Sequence, residues 1–217
     1  SSQLMLAATA SDPTAGDFIA VATVTAPATA TWSIAAFPGM AVLNGPNGTQ
    51  LGAIPAAGAA FSAPAMDKLG NVYFTATWKP SLTPQEVGVF KAVNTAGGYK
   101  LELLLRQGQT VVGANSTRPY TITSITLNDS DSIASGTTFS QSVIQDQDPA
   151  ALTTDPTKLR AFGGLAVSAL ITYDNNGTAE AYDAVLYVGP TAGTDCAADF
   201  NGSGQVTVQD LFDFLAA

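Results

Sequence analysis

Histidine is absent from this chain and cysteine occurs once. Lys and Arg number 8 in 217 residues, and charged residues of both signs make up 12%. Each scarcity excludes a kind of chemistry. Without His there is no commonest general base, and no Ser-His or Cys-His nucleophile pair. One Cys and no His leave zinc without a ligand set. Cys196 has no internal disulfide partner. It reads as a small buried residue joining the tail to the body, or as a cross-link to another chain. It does not read as a catalytic thiol, because nothing activates it. A net charge of −9 supplies too few cations to neutralise phosphates, which excludes nucleic acid and anionic membrane surfaces as partners. No run of about 18 apolar residues occurs, so no membrane-spanning helix is expected. Glycine-rich phosphate loops and dinucleotide fingerprints are missing too. The opening SSQLMLAATA lacks the basic end and long apolar core of a signal peptide, and reads as the start of a mature or trimmed chain.

Ala, Thr, Gly and Ser fill the space that charge leaves, and 46% of the chain is hydrophobic. That is enough to bury a core rather than stay disordered. Low charge with these residues points to a secreted protein, extracellular or at the cell surface. Long helical periodicity is lacking, while strand patterns are dense. GDFIAVATVTA, NVYFTATWK, EVGVFKAV, YKLELLLRQ, YTITSITL, GLAVSALITY and AYDAVLYVG are rich in β-branched and aromatic residues, with Gly and Asn/Asp clusters between them. Asp174-Asn-Asn-Gly177 between two such runs signals a hairpin. Gln141 to Lys158 reads as an extended loop, and Lys158 to Ala166 as a turn of helix or a strand entry. The expected fold is all-β over residues 1–190, followed by a short C-terminal loop and helix over 191–217. Ala15–Thr23 echoes Leu69–Thr77, and Met66–Val72 echoes Leu127–Ile133, at spacings of about 50–60 residues that suit propeller blades. The body is therefore expected to be a propeller-like repeat or a β-sandwich.

The most pointed motif is Asp199-Phe-Asn-Gly-Ser-Gly-Gln-Val-Thr-Val-Gln-Asp210. Oxygen side chains fall at loop positions 1, 3, 5, 9 and 12, with Gly204 at position 6, where a calcium loop makes its sharp turn. The expected ligands are Asp199, Asn201, Ser203, the Gln205 carbonyl, Thr207 (directly or through water) and Asp210. Only Asp199 and Asp210 are anionic, so affinity falls in the extracellular range of roughly 0.1–1 mM. An apolar helix, LFDFLAA, follows. Asp199, Asn201, Ser203, Gly204 and Asp210 with that helix resemble a dockerin repeat, the bacterial relative of the EF-hand that ends its loop with Asp. The likeness covers about the last 20 residues. It implies calcium binding and attachment to a scaffold protein through a cohesin. Ser203 replaces the usual acidic residue, one loop is present where dockerins carry two, and Val208-Gln209 replaces the frequent Ser-Thr pair. The strand echo with its Asn/Asp-rich turns also resembles a family of secreted bacterial β-repeat proteins with C-terminal anchoring tails.

Other features carry less. Asp129/Asp131 and Asp146/Asp148 alternate as calcium ligands do, or as solvated loop charges do. Five N-x-Ser/Thr triplets, at Asn47, Asn115, Asn128, Asn176 and Asn201, mark glycosylation sites or plain turns. Glu86, Glu102 and Glu180 are the candidates for a glycosidase carboxylate pair, which needs about 5–10 Å between its members. Trp32, Trp78, Tyr73 and Tyr120 are candidates for a sugar platform, or for core and sheet-face packing.

These readings converge on a non-catalytic secreted surface or matrix protein that self-associates into a filament or sheet with calcium support. A polysaccharide-binding module docked to a scaffold is the alternative, and a glycosidase-like enzyme the third. The expected partners are copies of the chain, a scaffold protein or polysaccharide. Leu4–Thr9, apolar and uncharged, is either a strand donated to a neighbouring copy or the first strand of its own sheet.

Overall fold

The computed structural model describes residues 4–26, 29–45, 48–67, 70–80, 84–112, 117–127, 131–132, 138–139, 143–144 and 164–188. All regular structure among them is strand, as expected. The expected calcium loop and helix, Cys196, and the Asp129, Asp146 and Asp148 positions lie outside the described residues.

Three strands open the chain: β1 (Leu4–Asp12), β2 (Gly16–Ala26) and β3 (Thr29–Ala36), antiparallel in that order. Leu4–Thr9 is thus the first strand of its own sheet, with Leu4 opposite Val24 and Thr9 opposite Ile19. Asp12 caps the first turn by accepting backbone hydrogen bonds from Thr14 and Ala15, each 2.8 Å.

A closed barrel follows, built from β4 (Ala41–Leu43), β5 (Gln50–Ala53), β7 (Val72–Pro80), β8 (Glu86–Thr95) and β9 (Gly98–Arg106). β6 (Ala65–Met66) pairs with β7 beside it. Closure uses two seams. β4 runs parallel to β9, Val42 beside Leu101, and β5 runs antiparallel to β7, Gly52 beside Pro80. Gly52 has Val42 on its other side. A Cβ there would stand 2.2 Å from the Lys79 carbonyl oxygen, so only glycine lets the second seam shut.

The last sheet holds β10 (Thr110–Val112), β11 (Pro119–Thr126), β15 (Gly164–Asn175) and β16 (Thr178–Val188), with β14 (Val143–Ile144) against the start of β15. β12 (Asp131–Ser132) and β13 (Thr138–Phe139) form a small ribbon. β15 begins at Gly164, so the part of Lys158–Ala166 within the described residues is strand entry.

Alternation places the core. Along β7, Val72, Phe74, Ala76 and Trp78 are buried. They meet Phe90, Ala92 and Leu101 from the barrel and Ile19, Val21, Ala35 and Ala36 from the first sheet. Phe74 and Phe90 stack with centroids 5.7 Å apart. Val89 and Leu105 belong to a second cluster with Ile122, Ile125, Leu165 and Val167, so the barrel also packs against the last sheet. At the β6–β7 turn, Asp67 accepts from the Asn71 backbone (2.9 Å), the Asn71 amide (2.8 Å) and the Tyr73 hydroxyl (3.1 Å). Asn71 in turn accepts from the Asn94 backbone at 3.0 Å, which ties the turn to β8.

The architecture is a barrel between two sheets, with no four-stranded propeller blade among the described residues. The echo that suggested blades has a local cause. Gly16, the first residue of β2, and Gly70, two residues before β7, each take positive φ, 83° and 80°. Yet β2 is the middle of an open sheet and β7 a barrel stave. A shared turn-into-strand grammar therefore serves two different settings.

Candidate functional site

β3 stands out by its exposure. It pairs with β2 on one side and, among the described residues, with nothing on the other. Residues 29–34 are exposed on both faces, and only Ala35 and Ala36 enter the core. Thr29-Ala-Thr-Trp-Ser-Ile34 holds no charge and no proline. Natural sheet edges usually carry such guards, because an unguarded edge offers its N–H and C=O groups to another strand.

The outer face of the same sheet is apolar in register. Leu6, Ala22 and Trp32 stand side by side across the three strands, and Ala8, Ala20 and Ile34 form the next row. Ala20 and Ala22 are buried, Ala22 between Leu6 and Trp32, while Leu6 is 56%, Trp32 70% and Ile34 54% exposed. An alanine floor with leucine and tryptophan walls results, continuous with the free edge of β3.

The candidate sugar-platform aromatics disperse. Trp32 lies on this outer face. Trp78 is buried against Phe90, centroids 6.1 Å apart. Tyr73 is held by Asp67 and lies under Lys91, whose Nζ is 5.8 Å from the ring centroid. Tyr120 joins Tyr173 and Tyr182 on the last sheet. The candidate carboxylates disperse as well. Glu86 pairs with Arg106 at 3.3 Å. Glu102 is buried opposite Lys91. Glu180 accepts from Asn175 at 2.8 Å and from the Tyr182 hydroxyl. Five positions of β8 separate Glu86 from the residue facing Glu102, roughly 17 Å of strand, beyond a glycosidase pair's reach. Among the described residues no three metal-ligating side chains come together. Of the triplet asparagines, Asn176 is described, at the exposed tip of the β15–β16 hairpin with φ 52°.

The back of the last sheet carries an open groove of about 430 Å³ lined by Ser124, Thr126, Ser168, Leu170, Asp183 and Val185. It lies beside a bulge at Thr123, whose hydroxyl donates to the Leu170 carbonyl at 2.9 Å.

No family model, curated protein or solved structure matches this chain.

Proposed function

We propose that this chain is a non-catalytic secreted surface protein that associates with copies of itself through β3, with the C-terminal calcium loop supporting the assembly or anchoring it to a scaffold. The observation that carries the reading is the edge strand whose residues 29–34 are exposed on both faces and uncharged. The occupant is β3 of a second copy, antiparallel about a two-fold axis. Such a contact is self-complementary, since each strand offers the other the same groups. It would join two three-stranded sheets into one and set the Trp32 walls of both copies near the seam. The net charge of −9 does not fall there, because β3 bears none of it.

Trp32→Lys with Ile34→Lys guards the edge in the way natural edges are guarded. Sedimentation equilibrium of the wild type, with millimolar calcium, should show association, and the double variant should stay monomeric with an unchanged circular dichroism spectrum. A wild type that is monomeric at high concentration, or a variant that assembles like the wild type, refutes the proposal.

A further inference from the structure

The face of the last sheet that packs on the barrel continues past its cover. On it, Ile122, Ile171 and Tyr182 form one cross-strand row. Beyond it, Val111 stands opposite Tyr120, whose ring meets that of Tyr173, and Tyr173 stands opposite Glu180. Ile122 is fully buried, whereas Tyr182 is 43% exposed. The apolar stripe therefore emerges from the core and ends in three tyrosines, Tyr120 and Tyr173 half-buried and Tyr182 exposed.

Their geometry is built. The Tyr120 ring lies 5.8 Å from Tyr173 and 6.1 Å from Tyr182, tilted to the first and edge-on to the second. Arg118 covers one side of Tyr173, its guanidinium carbon 5.2 Å from the centroid. Tyr182 and Asn175 each donate to one oxygen of Glu180. The Tyr182 bond foremost, then that from Asn175, holds the Glu180 carboxyl below its ordinary range, and the same bond raises the Tyr182 phenol. Rings and carboxylate are thus fixed before any ligand arrives, which lowers the ordering cost of binding. A carboxylate has about four acceptor directions, so two remain for ligand hydroxyls.

We propose that Tyr120, Tyr173 and Tyr182, with Glu180, Asn175 and Arg118 at their rim, form a subsite for pyranose units of a neutral polysaccharide. A pyranose presents apolar C–H faces and hydroxyl edges, which match exposed ring surface beside fixed acceptors and donors. Glu180 and Arg118 cancel in charge, and the chain as a whole is acidic, so an anionic glycan gains nothing here. A free organic cation is disfavoured because Arg118 already covers Tyr173. This site lies on a different sheet from the β3 edge, so the two proposals fail independently.

The test is affinity electrophoresis of the full chain in gels containing hydroxyethyl cellulose, laminarin, galactomannan or polygalacturonate, followed by calorimetry with the strongest retarding polymer. At least one neutral polymer should retard the wild type. Tyr182→Ala should bind at least about tenfold more weakly, Tyr182→Phe should fall between that variant and the wild type because the ring remains but the hydrogen bond fixing Glu180 is lost, and Val185→Ser on the back of the same strand should change nothing. Circular dichroism confirms that each variant folds. No retardation by any neutral polymer, equal binding by wild type and Tyr182→Ala, or retardation by polygalacturonate alone each overturns the proposal.

Discussion

At the scale of single residues, Gly52 decides whether the barrel closes. Its Cα sits where any side chain would enter the Lys79 carbonyl, and that carbonyl belongs to backbone that cannot swing aside. Gly52→Ala should destabilise the protein by roughly 1–3 kcal/mol, the usual cost of forcing atoms into filled space. Gly97→Ala, where a Cβ meets nothing within 4 Å, should stay within about 0.5 kcal/mol. Urea unfolding of the pair checks the contrast, and equal midpoints would remove the steric explanation. Asp12 makes a different kind of prediction. Its two backbone hydrogen bonds, Ala15 first and Thr14 second, hold its carboxyl below the ordinary value of 3.8. A lowered folded value means that the group's contribution is present above the unfolded pKa and fades as pH falls through the folded one. Carbon-detected NMR titration of Asp12 should give a midpoint under 3.8. A midpoint at or above it would contradict the turn.

At the scale of elements, how well each strand reads in the sequence depends on how it is covered. β2, β7, β8, β9, β11, β15 and β16 were readable because β-branched and aromatic residues alternate along strands with a buried face. β3 was not. Its first six residues are covered on neither face, and its alanines carry little strand preference. β4, β5 and β10 span three or four residues each, too short to show a period. The calcium ligands expected from spacing lie outside the described residues. Of the tyrosine face, the sequence singled out Tyr120 only. Tyr173 and Tyr182 carried a usable signal in the hairpin between them. Asn176 and Gly177 both take positive φ, 52° and 87°, which is a two-residue type I′ turn. That turn fixes Asn175 opposite Thr178, hence Tyr173 opposite Glu180 and Ile171 opposite Tyr182. Register arithmetic from the turn would have found the cluster. Within the barrel, Phe74→Ala should cost about 3–5 kcal/mol, because the fully buried Phe74 ring packs against both Phe61 and Phe90 and its removal leaves a void. A loss under about 1 kcal/mol by thermal unfolding would show that the core is looser than its burial indicates.

At the scale of the whole molecule, the proposed calcium tail is tested without reference to the body. Titration calorimetry of the full chain should show one calcium site near 0.1–1 mM, and Asp210→Ala should abolish it. Equal uptake by both proteins removes the ligand assignment. The barrel's seams carry a further consequence, one of timing during synthesis. The β7–β8 and β8–β9 hairpins are local, but Val42 must wait for Leu101 before the parallel seam can form. At ribosomal speeds of about 5–20 residues per second, β4 is therefore made roughly 3–13 s before β9 is complete, and β5 roughly 1–5 s before β7 is. Throughout those intervals their edges stand open on a chain with few charges to repel its neighbours. At three and four residues they are too short to make a durable ribbon with another nascent chain, and this brevity protects the protein while it is half-made.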